Sequence, residues 1–266
     1  MSQILSNVFD ELNIEYQRLM ATDGALQPFL TAEKLCHAKL YLETDLLAQV
    51  ISEDPTLLAA RASDLIADQN ERDNPSVGAI ISSNIVMAGL ERLLAVAVEQ
   101  SWLEMDAEGH ILVDEEELDP ARNYPVNADY SQSTVANANL STRGKSLLTQ
   151  MCNAAEEEFL DLLDNEVHDA YQLALQVSGN HAVFAPEDLA PLICENPLLL
   201  GLRPDDVVDE ELFAGDPPAG IIISGHLTHM LLDQLLELAE QKGALAHDAA
   251  GHLIIPEGDD DNPVIH

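Results

Sequence analysis

This chain has little positive charge. Lys and Arg number 11, only four of them Lys, against 48 Asp and Glu, so the formal net charge is −37 over 266 residues. A surface of that sign repels nucleic acid and anionic membranes, both polyanions, which argues against direct binding to either. Aromatics are scarce at 4%, which leaves Leu, Ala, Val and Ile to fill a core and favours helix-on-helix packing. Cys36, Cys152 and Cys194 form no CxxC pair and are odd in number. They suggest a reducing compartment and small buried hydrophobes rather than a disulfide framework. The N-terminal stretch has neither the basic start nor the apolar core of a signal peptide. The longest apolar run, Gly78 to Val98, is interrupted by Glu91 and Arg92 and reads as a buried amphipathic helix, not a membrane span. The expectation is a soluble, cytoplasmic protein. With 47% hydrophobic residues the chain can build a core, unlike a disordered polyanion.

What is present is a repeat. Residues 78–113 align without gaps on 220–255, with 13 of 36 positions identical, Gly78/Gly220, Ile80/Ile222, Leu93/Leu235, Asp106/Asp248 and His110/His252 among them. The same offset of 142 matches Pro55/Pro197, Leu57/Leu199 and Arg61/Arg203 upstream. A register held that long predicts two copies of one module, residues 1–117 and 144–266, arranged as a pseudo-twofold pair of domains. The Asn-, Ser-, Thr- and Pro-rich residues 118–143 read as the linker. Both ends share the charge: residues 1–125 carry net −16 and residues 144–266 net −21.

Apolar spacing predicts a first helix over 3–20, with Leu5, Phe9, Leu12, Tyr16 and Leu19 on one face, and a counterpart from Leu147 to Leu163. A helix near 43–52 ends before Pro55, a shorter one covers about 56–69, and a long one about 82–100 repeats at 224–242. Ser82 and Ser224 are candidate N-caps. A hairpin follows each long helix, turning through Asp106–Gly109 and Asp248–Gly251. The fold class expected is mainly α with small β-hairpins, a tandem duplication of a helical, winged-helix-like module. That likeness is one of element order and carries no function.

The chain holds no GxSxG, HExxH, GxGxxG or paired CxxC. Arg143-Gly-Lys-Ser146 resembles the end of a P-loop, but Asn139 stands where its first Gly belongs. His226 and His229, at i, i+3, could share a metal, yet their matches in the first copy are Asn84 and Met87, and ordinary polar helix positions explain them. His110 and His252 each follow a turn Gly and are read as closing the hairpins. Arg61 and Arg203 each precede an acid by three residues, Asp64 and Asp206, and an i, i+3 pair is the simplest reading. Asp259–Asp261 lacks EF-hand spacing and reads as a solvated tail. No catalytic residue, metal or cofactor is assigned.

Three acidic clusters remain as candidate partner-binding residues. Glu156, Glu157, Glu158, Asp161 and Asp164 form the first, with 157, 161 and 164 on one helical face. Asp114, Glu115, Glu116 and Glu117 form the second. Asp205, Asp206, Asp209, Glu210 and Glu211 form the third. Taken singly, each is a solvated face. Together they repel one another and destabilise the compact state, which a partner or salt would offset. A 28.9 kDa globule exposes on the order of 11,000 Å², or about one net charge per 300 Å², roughly a third of the density of duplex DNA. Imitating a nucleic acid therefore requires the acids to be concentrated.

Three functions follow from the sequence. The first is an acidic inhibitor or decoy, in the manner of phage proteins, that occupies the basic DNA- or RNA-binding surface of a nuclease, RNA-decay enzyme or polymerase. The second is an acidic protein adapted to high salt. The third is a carboxylate- or metal-dependent hydrolase. The first is preferred, together with self-association as a homodimer through apolar helix faces.

Overall fold

The long helix of each half begins where an amide hydrogen bonds to the opposite half of the sequence. Val77 N–H donates to Leu202 O at 2.9 Å, and Ala219 N–H donates to Ala60 O at 3.0 Å. The computed structural model describes residues 2–22, 26–40, 42–66, 69–113, 142–165, 169–207, 215–250 and 253–254. They run as α1 (Gln3–Thr22), α2 (Pro28–Lys39), α3 (Thr44–Glu53), a 3₁₀ helix (Pro55–Ala59), α4 (Ala62–Leu65), α5 (Gln69–Arg72), α6 (Val77–Glu99), β1 (Glu104–Met105) and β2 (Ile111–Leu112). Then come α7 (Thr142–Asn165), α8 (Ala170–His181), α9 (Pro186–Glu195), a second 3₁₀ helix (Pro197–Gly201), α10 (Pro204–Val207), α11 (Ala219–Gln241), β3 (Ala246–His247) and β4 (Leu253–Ile254). Among the described residues the protein is mainly helical, with two small antiparallel strand pairs. Adding 142 to the bounds of α2, α3, α4, α6, β1, β2 and the first 3₁₀ helix gives those of α8, α9, α10, α11, β3, β4 and the second.

Tertiary contacts divide the chain into two compact units, which cut across the sequence modules. The first comprises Met1–Asn139 with Pro186–Ile223, and the second Leu140–Ala185 with Ser224–His266. In the first unit α3 packs against α9. Leu47, Ala48, Val50 and Ile51 are buried on α3, and Leu189, Ala190, Leu192 and Ile193 on α9. The same 142-residue rule relates the bonds around them. Arg61 Nη1 donates to Asp216 O at 2.6 Å and Arg203 Nη1 to Asn74 O at 2.7 Å. Ser63 N–H donates to Asp216 Oδ2 at 2.9 Å and Asp205 N–H to Asn74 Oδ1 at 3.2 Å. Gly220 suits this close approach, because a Cβ there would stand 3.3 Å from Leu58 O. Elsewhere in this unit α6 packs on α2 and α1. The buried Tyr16 meets Trp102 edge-to-face at 5.6 Å and donates to Pro28 O at 2.9 Å.

The core of the second unit joins Ala155 and Phe159 of α7, Leu173, Ala174 and Val177 of α8, and Leu231, Leu235 and Ala239 of α11. Here the offset between matching positions changes by one residue. Ala155 and Phe159 take the buried places that Leu12 and Tyr16 hold on α1, an offset of 143. The connection from α7 to α8 is one residue shorter than that from α1 to α2.

Several expected boundaries move. The long helix starts at Val77, not near 82. Ser76 is its N-cap and accepts from Ala79 N–H at 3.2 Å, so Ser82 lies inside the helix, as Ser224 lies inside α11. The stretch near 56–69 is not one helix, because Ala60 and Arg61 are extended and separate the 3₁₀ helix from α4. The apolar spacing does not reveal α2 or α8. The linker expected over 118–143 lies outside the described residues up to 141. Among the described residues α6 is the one helix long and apolar enough to cross a membrane, with a mean hydropathy of 1.5. Glu91 and Arg92 lie on it, and Ile80, Ile81, Ile85 and Leu93 are buried within the protein, so it is not a convincing span.

Candidate partner-binding surface

The acids of α7 divide by direction. Glu157, Asp161 and Asp164 are exposed, as i, i+4 and i+3 spacing requires of one outward face. Asp161 accepts from Asn165 Nδ2 at 3.0 Å. Glu158 turns the other way, with Oε2 2.5 Å from His181 Nε2 on α8. Glu156 is half-buried. Five acids that the sequence groups together thus become an exposed row of three, one histidine partner and one inward-leaning carboxylate.

In the first unit, Asp205 and Asp206 are exposed in the first turn of α10, where negative charge complements the helix dipole. The backbone N–H of Asp205 donates to Asn74 Oδ1 at 3.2 Å. Asp209, Glu210 and Glu211 lie outside the described residues, as do Asp114, Glu115, Glu116 and Glu117.

The first hairpin brings Asp106, Glu108 and His110 within 4.8 Å of one another through potential ligand atoms. Its geometry is that of a turn. Asp106 Oδ1 accepts from His110 N–H at 2.7 Å and Glu108 N–H at 3.0 Å, while Oδ2 lies 3.1 Å from His110 Nδ1. Gly109 takes a positive φ of 91°. The backbone bond from His110 does most to hold the Asp106 carboxyl below its ordinary range. His110 thus closes its hairpin, and His252 lies outside the described residues. His226 is half-buried and His229 exposed on α11.

Sequence reasoning missed a groove of about 340 Å³ in the second unit, lined by Met151, Cys152, Glu156, Phe184, Met230 and Leu231, among others. Burial, then the charge of Glu156, pushes the Cys152 thiol up. The differences between the two halves are the signal that could have found it. Phe9, Leu40, Gly89 and Arg92 in the first half become Cys152, Ala182, Leu231 and Gln234 in the second.

Against protein families, curated proteins and solved structures, the chain finds no match.

Proposed function

We propose that this chain is an acidic protein-binding inhibitor or decoy. It would occupy the basic nucleic-acid-binding surface of a nuclease, RNA-decay enzyme or polymerase. The observation that carries the reading is a net charge of −37 on a chain with an extensive aliphatic core. The exposed row Glu157, Asp161 and Asp164 supplies a local concentration of charge. Such a surface steers a cationic partner into fast, salt-sensitive association.

The reading includes a cytoplasmic setting, a phage-like role, a homodimer and a tandem duplication of a winged-helix-like module. The duplication is supported by the paired bonds from Arg61 and Arg203. The winged-helix likeness is supported by the hairpin after each long helix.

The test is capture from host lysate at low salt, elution along a salt gradient, and competition with DNA and RNA. Elution of one nucleic-acid-binding enzyme at moderate salt, displaced by nucleic acid, supports the proposal. Capture of unrelated basic proteins with no such displacement sinks it. A second reading, adaptation to high salt, is favoured by the four lysines. Circular dichroism in dilute buffer separates the two, because a salt-adapted protein unfolds there and a decoy stays folded.

A further inference from the structure

The two halves of the chain treat one position differently, and the difference describes a missing occupant. In the first unit Phe9 is buried at 6% exposure, and the Arg92 guanidinium carbon lies 4.4 Å from its ring centroid. The register of 143 that matches Leu12 to Ala155 and Tyr16 to Phe159 matches Phe9 to Cys152. The register of 142 matches Arg92 to Gln234. Cys152 and Gln234 both line the groove of the second unit. A thiol is far smaller than a benzyl ring, and although Leu231, in place of Gly89, fills part of the room that Phe9 and Leu40 take in the first unit, a groove remains beside Cys152 where the first unit has an aromatic side chain capped by a cation. Met151, Met230 and Phe184 supply apolar walls, and Glu156 supplies a carboxylate.

We propose that this groove receives an aromatic side chain of the partner, flanked in the partner's sequence by Arg or Lys. The first unit shows the chemistry: a Phe ring in an aliphatic seat with a guanidinium over its face, a favourable contact in its own right. In the second unit the ring comes from outside, and its neighbouring cation meets Glu156 and the acidic row of α7 beyond it. Flexible methionines suit such a seat, since their unbranched side chains adapt to an entering ring. Aromatic anchors in pockets, beside pairing charges, carry most of the energy in protein interfaces. The inference rests on the proposed binding of a basic partner and adds what that partner inserts.

The test uses the full chain and three fluorescein-labelled nonapeptides. One has a single Phe between arginines, one replaces that Phe by Ala, and one keeps Phe but replaces the arginines by Gln. Anisotropy gives affinity in dilute buffer, and ¹³C-methyl spectra report Met151 and Met230 directly. The Phe–Arg peptide is expected to bind at least about tenfold more tightly than the Ala peptide, the factor expected from burying one aromatic side chain. It should shift both methionine signals. The double variant Cys152→Phe/Gln234→Arg, which rebuilds the first unit's arrangement, should erase that preference, so that the Phe and Ala peptides bind it alike. Equal binding of the Phe and Ala peptides, with unmoved methionine signals, overturns the groove while leaving the acidic-surface reading standing. Equal binding of the Arg and Gln peptides overturns the cationic half of the proposal and the acidic-surface reading with it. Self-association that the double variant abolishes assigns the groove to a second copy and overturns the proposal. If the double variant does not fold, the peptide comparison and the methionine shifts decide on the wild-type chain.

Discussion

Leu40 lies so close over Gly89 that a methyl group added to the glycine would stand 2.1 Å from Leu40 Cδ1. The matched positions in the other half invert the sizes: Ala182 and Leu231, both in the core of the second unit. One large and one small residue fill the space in each half, with the roles exchanged. Gly89→Leu alone should overpack and cost about 1–3 kcal/mol or more, and Leu40→Ala alone should open a cavity and cost about 2–5 kcal/mol. The double variant is expected to be more stable than the sum of the two losses. Urea denaturation of the four proteins measures this coupling, and strict additivity would count against the exchange.

The matched arginines hold the backbone. Arg61 and Arg203 reach Asp216 and Asn74 carbonyls at 2.6 and 2.7 Å, so each contributes a charge-assisted hydrogen bond to the backbone. Arg203→Ala should lower stability by about 1–3 kcal/mol. Arg203→Gln should recover part of it if a donor still reaches Asn74. Thermal denaturation of both variants distinguishes this role from one of net charge, which both remove equally.

The alkaline limit of stability follows from two buried acids. Cys36 is fully buried, and burial, then the charge of Glu33, pushes its thiol from 9.0 to about 12. Tyr16 is pushed up as well, chiefly by burial and then by Cys36. A folded state that keeps a proton the unfolded chain releases is fully stable below the unfolded pKa and loses stability above it. Stability is therefore expected to fall as pH rises from 9 towards 12 through Cys36, with Tyr16 adding to the decline above 10, by about 1 kcal/mol per pH unit for each group in its window. Cys36→Ala should flatten that decline. Equal slopes for wild type and variant in denaturation at pH 8 and 10.5 would remove Cys36 as a cause.

The exposed row on α7 separates binding from folding. Changing Glu157, Asp161 and Asp164 to Lys alters charge on a solvated face, so the circular dichroism spectrum should be retained. Affinity for the partner should drop by tenfold or more at low salt, with a shallower salt dependence. Undiminished affinity would show that this helix faces away from the partner.

The first and long helices were legible because their buried residues, such as Leu5, Phe9, Leu12 and Tyr16, fall on a regular stripe. The hairpins were legible from Asp106 and Gly109. The α2 helix escaped because its buried set, Thr31, Ala32, Glu33, Leu35 and Cys36, mixes polar with apolar residues and blurs the period. The true cap, Ser76, was hidden by the repeat itself: its match is Pro218, whereas Ser82 and Ser224 agree in both halves. The groove was not legible from spacing rules, which register only what is present; it emerges only when the halves are compared, Phe9 with Cys152 and Arg92 with Gln234.

The pairing of α3 with α9 also sets an order in time. A ribosome delivers Leu47, Ala48, Val50 and Ile51 long before Pro186–Glu195 leaves the exit tunnel. Throughout that interval the nascent first half carries an uncovered aliphatic face, and its completion is postponed until α9 has been made. Truncated nascent chains ending before Pro186 are therefore expected to be chaperone clients and protease-sensitive, and resistance should arrive abruptly once α9 has emerged.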